Sequence, residues 1–265
     1  LFGAWGTSDV NEARRLVDIC LEAGVNLFDT ADVYSRWVPG NRGGESEAII
    51  GEWIRRRGHH DDVLIATKVG SDMGLGHVCL KRKHILAAVE DSLRRLRIDR
   101  IDLYQSHWVD KDTPVEETLA AFQTLIEQGK VRAIGASNYS ASRLRDALAV
   151  SADYALPRYE TLQPEYNLYD RGGYEAELEP LVREQQIGVI SYYARASGFL
   201  SGKYRRADDA AKSSARGRSV VDRYLNPRGL RILTALDDIA AGEYSGDVLV
   251  VTSGLTVMLL LDALG

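Results

Sequence analysis

The chain has 265 residues, of which 45% are hydrophobic and 27% are charged, and its formal net charge at pH 7 is −5. This composition is typical of a folded soluble protein, and the modest negative charge excludes the basic surface of a nucleic-acid-binding protein. No apolar run reaches the roughly 20 residues that span a bilayer, and no signal-peptide pattern is apparent. Two cysteines cannot form a disulfide framework. We therefore expect a cytoplasmic protein of one domain, residues 1–265, with no nucleic-acid or membrane partner.

Short apolar runs alternate with longer helical patterns, which is typical of repeated strand–helix units and a parallel sheet. The runs that predict strands are Val25–Phe28, Val63–Thr67, Ile101–Tyr104, Val131–Ile134, Glu160–Gln163, Gly188–Ser191 and Val248–Val251. The helical patterns are Glu12–Ala23, Ser46–Arg57, Lys83–Leu96, Val115–Gln128, Ser142–Ala149, Ala176–Gln185 and Pro227–Ala241.

The number of these units favours a (β/α)₈ TIM barrel. Seven strands are predicted within the chain, and an eighth is expected before residue 1, since the sequence opens without one. Eight units in about 250 residues is the usual size of this barrel. A doubly wound open sheet is the alternative, but no G-x-G-x-x-G follows any predicted strand. One segment, roughly Arg205 to Arg223, looks irregular and fits either a lid over a ligand or a mobile surface loop.

Polar residues follow six consecutive predicted strands. In chain order they are Asp29 with Tyr34, Lys68, His107, Ser137 with Asn138, Gln163, and Tyr192. Because the working residues of such barrels lie where strands end, we expect these side chains to meet at one mouth. Each residue alone also has a plainer explanation, such as a capping aspartate, a surface lysine or a packed tyrosine.

Four of these residues suit proton donation to a carbonyl oxygen. Lys68 follows a run that should be buried, so its charge needs a partner, and Asp29 is the obvious one. A tyrosine hydroxyl has an ordinary pKa of ~10, and we expect the Lys68 ammonium to lower the pKa of Tyr34. His107 would bond the carbonyl oxygen or relay the proton. A Schiff-base aldolase is a weaker alternative, because pairing with Asp29 keeps the Lys68 amine protonated.

Six stretches carry motifs in a specific order. They are NLFDTADVYS at 26–35, IATKV at 65–69, IDLYQSHW at 101–108, GKVRAIGASNY at 129–139, QPEYNL at 163–168 and ASGFLSGKY at 196–204. Over most of residues 1–240 the chain resembles the aldo-keto reductase superfamily, and in particular a bacterial branch that is similar to potassium-channel β-subunits. The resemblance implies a TIM barrel that reduces aldehydes or ketones with NADPH and without a metal.

The resemblance also implies a role for individual residues. The catalytic set falls on Asp29, Tyr34, Lys68 and His107, with Tyr34 as the general acid. The residues implied for cofactor binding are Ser137, Asn138 and Gln163 for the nicotinamide carboxamide, Tyr192 for stacking on its ring, Lys203 for the phosphates, and Arg216 or Arg218 for the pyrophosphate.

The chain departs from the family in three places. The usual opening hairpin and first strand have no counterpart. Tyr193-Ala194-Arg195 replaces the usual Ser-Pro-Leu, where Arg195 would pair with the pyrophosphate or Tyr193 would block part of the groove. No lysine or arginine follows the strand that ends near Ser253, at the position expected to bind the adenosine end. The choice between NADPH and NADH therefore stays open.

Two functions are consistent with these features. The first is reversible, NADPH-dependent reduction of an aldehyde or ketone, with a small-molecule carbonyl as partner. The alternative is a cofactor-binding redox sensor or regulatory subunit with little turnover. Trp5 and Trp108 lie on loops near the expected mouth, where they would form an aromatic wall for the substrate or pack within their loops. The oligomeric state is not readable from the sequence.

Overall fold

The computed structural model of the chain describes residue 7, residues 9–212 and 216–242, and the backbone of residues 248–252 and 257–261. The strands are β1 Leu27–Asp29, β2 Leu64–Val69, β3 Ile101–Ser106, β4 Val131–Ser137, β5 Thr161–Gln163, β6 Gly188–Val189, β7 Val248–Thr252 and β8 Val257–Leu261. The α-helices are α1 Val10–Glu22, α2 Glu45–Arg57, α3 Arg82–Leu96, α4 Val115–Glu127, α5 Ala141–Asp153, α6 Glu179–Glu184, α7 Gly217–Tyr224 and α8 Pro227–Ala240.

The chain divides into two compact units. The first comprises Leu1–Pro164 and Glu177–Ile190, and the second comprises Glu165–Ala176 and Ser191–Gly265. That the whole chain is one domain stays a prediction. None of the helices in the described part of the chain is both long and apolar enough to cross a membrane.

The first unit contains a six-stranded parallel sheet in the order β1-β2-β3-β4-β5-β6. A helix, from α2 to α6 in turn, lies between each strand and the next. This arrangement confirms the predicted strand–helix repeat for six of the seven predicted strands, and it is the repeat of a TIM barrel over six units. The carboxyl ends of all six strands therefore lie at one edge of the sheet.

The core of the first unit lies between the central strands and their helices. In β2 every residue from Ile65 to Val69 is buried, as expected for a parallel strand covered on both faces. Tyr104 of β3 packs edge-on against Phe122 of α4, with ring centroids 5.8 Å apart. At Gly51 helix α2 approaches α3 so closely that a Cβ would lie 2.1 Å from the carbonyl oxygen of Arg95.

The second unit has a core of its own. Its fully buried side chains include Phe199, Tyr204, Tyr224 and Leu233. Phe199 stacks on Tyr224 with ring centroids 5.6 Å apart. Helix α8 begins where Asn226 accepts a hydrogen bond from the backbone N–H of Gly229 at 3.1 Å, with proline in the first turn.

The segment from Arg205 to Arg223 is not an irregular loop where the structure describes it. It contains a 3₁₀ helix, Ala207–Lys212, and most of α7. The sequence interpretation was wrong because Val220, Val221 and Tyr224 lie at helical spacing and are buried in the core of the second unit.

The seventh predicted strand is found as β7, but it does not join the parallel sheet. It pairs antiparallel with β8, and Val250 lies opposite Leu259. Only residues 253–256 connect the two strands. Such a short connection permits an antiparallel hairpin, whereas parallel strands need a crossover of a dozen or more residues. The expectation of a further parallel strand at Val248–Val251 is therefore wrong.

Candidate active site

Lys68 lies on β2 and is fully buried, and its ammonium group donates three hydrogen bonds. Its Nζ donates to Asp29 Oδ2 at 2.7 Å, to the carbonyl oxygen of Thr30 at 2.8 Å and to Tyr34 Oη at 3.2 Å. An ammonium has three N–H donors, so these contacts satisfy it. Burial alone would lower the pKa of Lys68, but Asp29 and Tyr34 outweigh burial and raise it, which keeps the group charged.

Asp29, the last residue of β1, also accepts a hydrogen bond from a side chain of β3. Gln105 lies beside Lys68 in the register of β3 with β2, and its Nε2 donates to Asp29 Oδ1 at 3.2 Å. The sequence interpretation did not include Gln105 in the site. Its signal is the spacing to His107, because residues two apart on a strand face the same side.

Tyr34 follows β1 on the loop to α2 and is half-buried. The Lys68 ammonium also lies 4.8 Å from the centroid of its ring. Burial raises the pKa of the Tyr34 hydroxyl above its ordinary value, and Lys68 offsets only part of this rise. The predicted effect of Lys68, a lowering of the Tyr34 pKa, is present, but loss of solvation outweighs the attraction to the ammonium, so the pKa is raised overall.

His107 directly follows β3, and its ring lies 5.8 Å from that of Tyr34, at an interplanar angle of 71°. Its Nδ1 is 2.8 Å from Ser71 Oγ, a partner that the sequence interpretation missed. Burial, with a smaller contribution from Lys68, lowers the pKa of His107 to about 3. The imidazole is therefore neutral near pH 7. When Ser71 donates to Nδ1, Nε2 carries the ring proton and is a donor.

Three residues implied for nicotinamide binding lie together at the ends of β4 and β5. Ser137 Oγ donates to the carbonyl oxygen of Gln163 at 3.0 Å. Asn138 adopts a left-handed conformation (φ 59°) and its Nδ2 donates to the carbonyl oxygen of His107 at 3.0 Å. These contacts hold the Ser137 hydroxyl and the Asn138 amide at the same edge of the sheet as His107.

The remaining residues that the resemblance implies for cofactor binding lie in the second unit. Tyr192 is in edge contact with Tyr193, and their ring centroids are 5.2 Å apart. Arg195 is exposed and precedes the 3₁₀ helix Ala196–Ser201. Lys203 is exposed, and its Nζ lies 5.1 Å from the centroid of the Tyr204 ring.

Arg218 is also exposed and forms an ion pair with Asp222, four residues later on α7, with Nε and Oδ2 3.0 Å apart. Its alternative, Arg216, immediately precedes α7 and accepts a hydrogen bond at its carbonyl oxygen from Ser219 Oγ. Ser253 and Trp5 lie outside the residues that the structure describes.

Trp108 is 45% exposed and stacks on His107 with ring centroids 5.8 Å apart. Trp37, which the sequence interpretation did not select, is 44% exposed and contacts the Tyr34 ring at 5.8 Å. The sequence feature that could have identified Trp37 is its position, three residues after Tyr34 on the same loop. The first unit thus combines a phenol bonded to a buried ammonium, a neutral imidazole and two exposed indoles, a set that can donate a proton to a bound oxygen.

Known proteins resemble the chain in sequence and in fold. The aldo/keto reductase family profile matches residues 1–252. A probable voltage-gated potassium channel subunit beta from Oryza sativa subsp. japonica is 37% identical over 80% of this chain and 64% of its own length. The aldo-keto reductase YhdN of Bacillus subtilis is 33% identical over 92% of this chain and 71% of its own length.

Among solved structures, the glycerol dehydrogenase of Gluconobacter oxydans superposes with a TM-score of 0.73 at 30% identity, covering 91% of this chain and 70% of that protein. The chain thus spans less than two thirds of the rice relative and about 70% of the other two proteins. The profile covers nearly all of the sequence, and the motifs and the parallel sheet agree with it. The chain therefore belongs to the aldo/keto reductase family, whose members are NAD(P)H-dependent oxidoreductases.

Proposed function

We propose that the protein catalyses the reversible reduction of an aldehyde or ketone to an alcohol with NADPH, and that Tyr34 is the general acid. One observation carries this proposal. The buried ammonium of Lys68 is bonded at once to the carboxylate of Asp29 and to the hydroxyl of Tyr34. A buried lysine with a purely structural role needs acceptors for its three N–H groups, but none of them has to be a phenol. An ammonium bonded to a phenol stabilises the phenolate that forms when the phenol gives up its proton.

Each side chain then has a stated part in the proton transfer. Tyr34 Oη donates its proton to the carbonyl oxygen as the carbon is reduced. Lys68 stabilises the resulting phenolate at Oη, and Asp29 fixes the position of the ammonium. His107, neutral near pH 7, donates a hydrogen bond from Nε2 to the same oxygen when Ser71 bonds Nδ1.

The residues at the ends of β4 and β5 fit a nicotinamide. Its carboxamide carries one acceptor and two donors, and Ser137, Asn138 and Gln163 offer complementary hydroxyl and amide groups. The proposal is supported by the bond of Asn138 to the carbonyl oxygen of His107, because the ring of His107 contacts that of Tyr34. The bound nicotinamide supplies the hydride, which no protein side chain can supply.

In the second unit we propose that Lys203 binds a cofactor phosphate and that Tyr192 offers a ring for stacking. The first role is supported by the exposure of Lys203, since an exposed ammonium is accessible to a phosphate. Arg195 and Arg218 are exposed and available as further charge partners, although Arg218 would have to leave Asp222. NADPH is proposed over NADH on family grounds, and NADH stays the alternative.

The complete eight-stranded barrel is likewise a proposal, supported by the six parallel strands and by the family. We also propose a cytoplasmic protein that acts on a small-molecule carbonyl.

A second candidate function is a redox sensor or regulatory subunit that binds the cofactor with little turnover. The observation that favours it is the likeness to plant proteins named probable potassium channel β-subunits, from rice and from Arabidopsis thaliana. The bond between Lys68 and Tyr34 favours catalysis, since a sensor does not need a proton donor.

The first experiment is a titration of the protein with NADPH and with NADH, followed by quenching of tryptophan fluorescence, and then a turnover assay with aldehydes. The proposal predicts micromolar or tighter binding of NADPH and consumption of the reduced cofactor when a carbonyl is added. Binding without turnover for any carbonyl would favour the sensor. Failure to bind either cofactor would contradict both functions.

A further inference from the structure

The described residues contain three tryptophans, which differ in burial. Trp53 on α2 is 4% exposed, and its Nε1 donates to Asp18 Oδ1 at 2.6 Å. Trp37 and Trp108 are 44% and 45% exposed. An exposed indole offers a large apolar area that a bound partner can cover. Their position therefore decides what that partner is.

Both exposed tryptophans lie next to the proposed proton donor. Trp37 contacts the Tyr34 ring edge-on, with centroids 5.8 Å apart and an interplanar angle of 63°. Trp108 stacks on His107 at an angle of 12°, and His107 in turn contacts Tyr34. The four rings form a chain of contacts with Tyr34 in it, so a ligand that covers the indoles is close to the Tyr34 hydroxyl.

Trp37 is held in place although it is exposed. Ser35, two residues before Trp37, is buried and has a φ of 75°, a conformation rarely adopted by a residue other than glycine. Its carbonyl oxygen accepts a hydrogen bond from Asn41 Nδ2 at 3.0 Å. The Arg36 guanidinium donates to the carbonyl oxygen of Asp72 on the loop after β2. Backbone strain and an exposed, fixed aromatic ring are features of a preorganised binding site.

We propose that Trp37 is a specificity-determining residue, and that with Trp108 it forms an apolar wall that selects planar, aromatic carbonyl substrates. This inference rests on the proposed function, because it places the substrate's carbonyl at Tyr34. An aromatic aldehyde covers the indoles with its ring and presents its oxygen to the hydroxyl. A small polyhydroxylated aldehyde covers little of that apolar area and leaves its own hydroxyl groups facing it.

The test compares kcat/KM for NADPH-dependent reduction of 4-nitrobenzaldehyde and of glyceraldehyde. We expect Trp37→Ala to lower kcat/KM for the aromatic aldehyde about 10-fold or more, mainly through KM, and to change that for glyceraldehyde about twofold at most. Trp37→Phe should restore most of the loss. The matched control is Tyr154→Ala, which removes a 63% exposed aromatic residue at the end of α5 and should change neither value.

The outcomes separate the two proposals. If the wild type reduces aldehydes, Tyr34→Phe does not, and Trp37→Ala leaves the ratio of the two kcat/KM values unchanged, the inference about Trp37 is overturned while the proposed function stands. If the wild type consumes no NADPH with either aldehyde, or Tyr34→Phe keeps its activity, the proposed function fails and the inference fails with it.

Discussion

The Lys68 ammonium lies 3.2 Å from Tyr34 Oη and 4.8 Å from the centroid of the same ring. Lys68 is buried on β2, and Tyr34 lies on a loop that follows a different strand, so the contact depends on the register of β1 with β2. Asp29 lies opposite Ala66 in that register, two residues before Lys68. The pairing of these strands therefore brings a carboxylate, an ammonium and a phenol together.

Replacement of Lys68 by methionine tests the role of the ammonium. The side chain keeps a similar volume, but the phenolate of Tyr34 loses its partner and Asp29 loses its counter-charge. We expect kcat for carbonyl reduction to fall by about 100-fold or more. The control is Lys130→Met, which removes a lysine paired with Glu90 at the surface. If Lys68→Met folds, as judged by circular dichroism, and keeps wild-type kcat, the ammonium has no part in the reaction.

The raised pKa of Tyr34 predicts different pH profiles for the two directions of the reaction. Reduction uses the protonated phenol, so its rate should stay level from pH 7 to pH 9. Alcohol oxidation uses the phenolate, whose small fraction rises about tenfold per pH unit below the pKa. We therefore expect kcat/KM for alcohol oxidation to climb across the same range. A plateau that begins below pH 8 in the oxidation direction would mean that the pKa of the acid is lowered rather than raised.

Much of this site is predictable from the sequence because its signals are local. The buried run before Lys68 and the polar residues after successive strands predict both the sheet and the convergence of Asp29, Tyr34 and Lys68. Ser71 was missed because a serine beside a strand has no distinctive pattern, and Gln105 was missed because its spacing to His107 does not by itself indicate a contact with Asp29. Their roles depend on which strand neighbours which, and on what register.

The net rise in the pKa of Tyr34 was not predicted, for a related reason. The sequence indicates the nearby charge, whereas the loss of solvation depends on how the loop after β1 packs. Likewise, the apolar run Val248–Val251 fits a parallel or an antiparallel strand by its composition, and only its pairing with β8 decides between them.

Asp32 offers a test of buried charge near the site. It is 2% exposed, and neither of its carboxylate oxygens has a hydrogen-bond partner among the described residues. Burial, with the nearby Glu47 carboxylate, raises the pKa of Asp32 to about 7. The folded protein thus keeps a proton that the unfolded chain has already released above its ordinary pKa of 3.8. The stability that this proton contributes is fully present below about pH 4 and is lost as pH rises through about 7.

Asp32→Asn cannot ionise, so its free energy of unfolding lacks this pH dependence. We expect the free energy of the variant minus that of the wild type to increase from pH 5 to pH 8, by up to about 1.4 kcal/mol per pH unit below the folded pKa. Urea unfolding at four pH values measures the difference. Exposed Asp61 provides the control, Asp61→Asn. A difference for Asp32→Asn that is constant across this range would show that Asp32 is ionised in the folded protein throughout.

The role of Tyr34 is most directly tested by Tyr34→Phe, which removes one oxygen atom and keeps the ring between Trp37, His107 and the Lys68 ammonium. The measurement pairs kcat for aldehyde reduction with the Kd for NADPH on the same preparation. If Tyr34 is the proton donor, kcat falls by about 100-fold or more while the Kd changes little, since the proposed nicotinamide contacts are made by other residues. Retention of wild-type kcat would contradict the account.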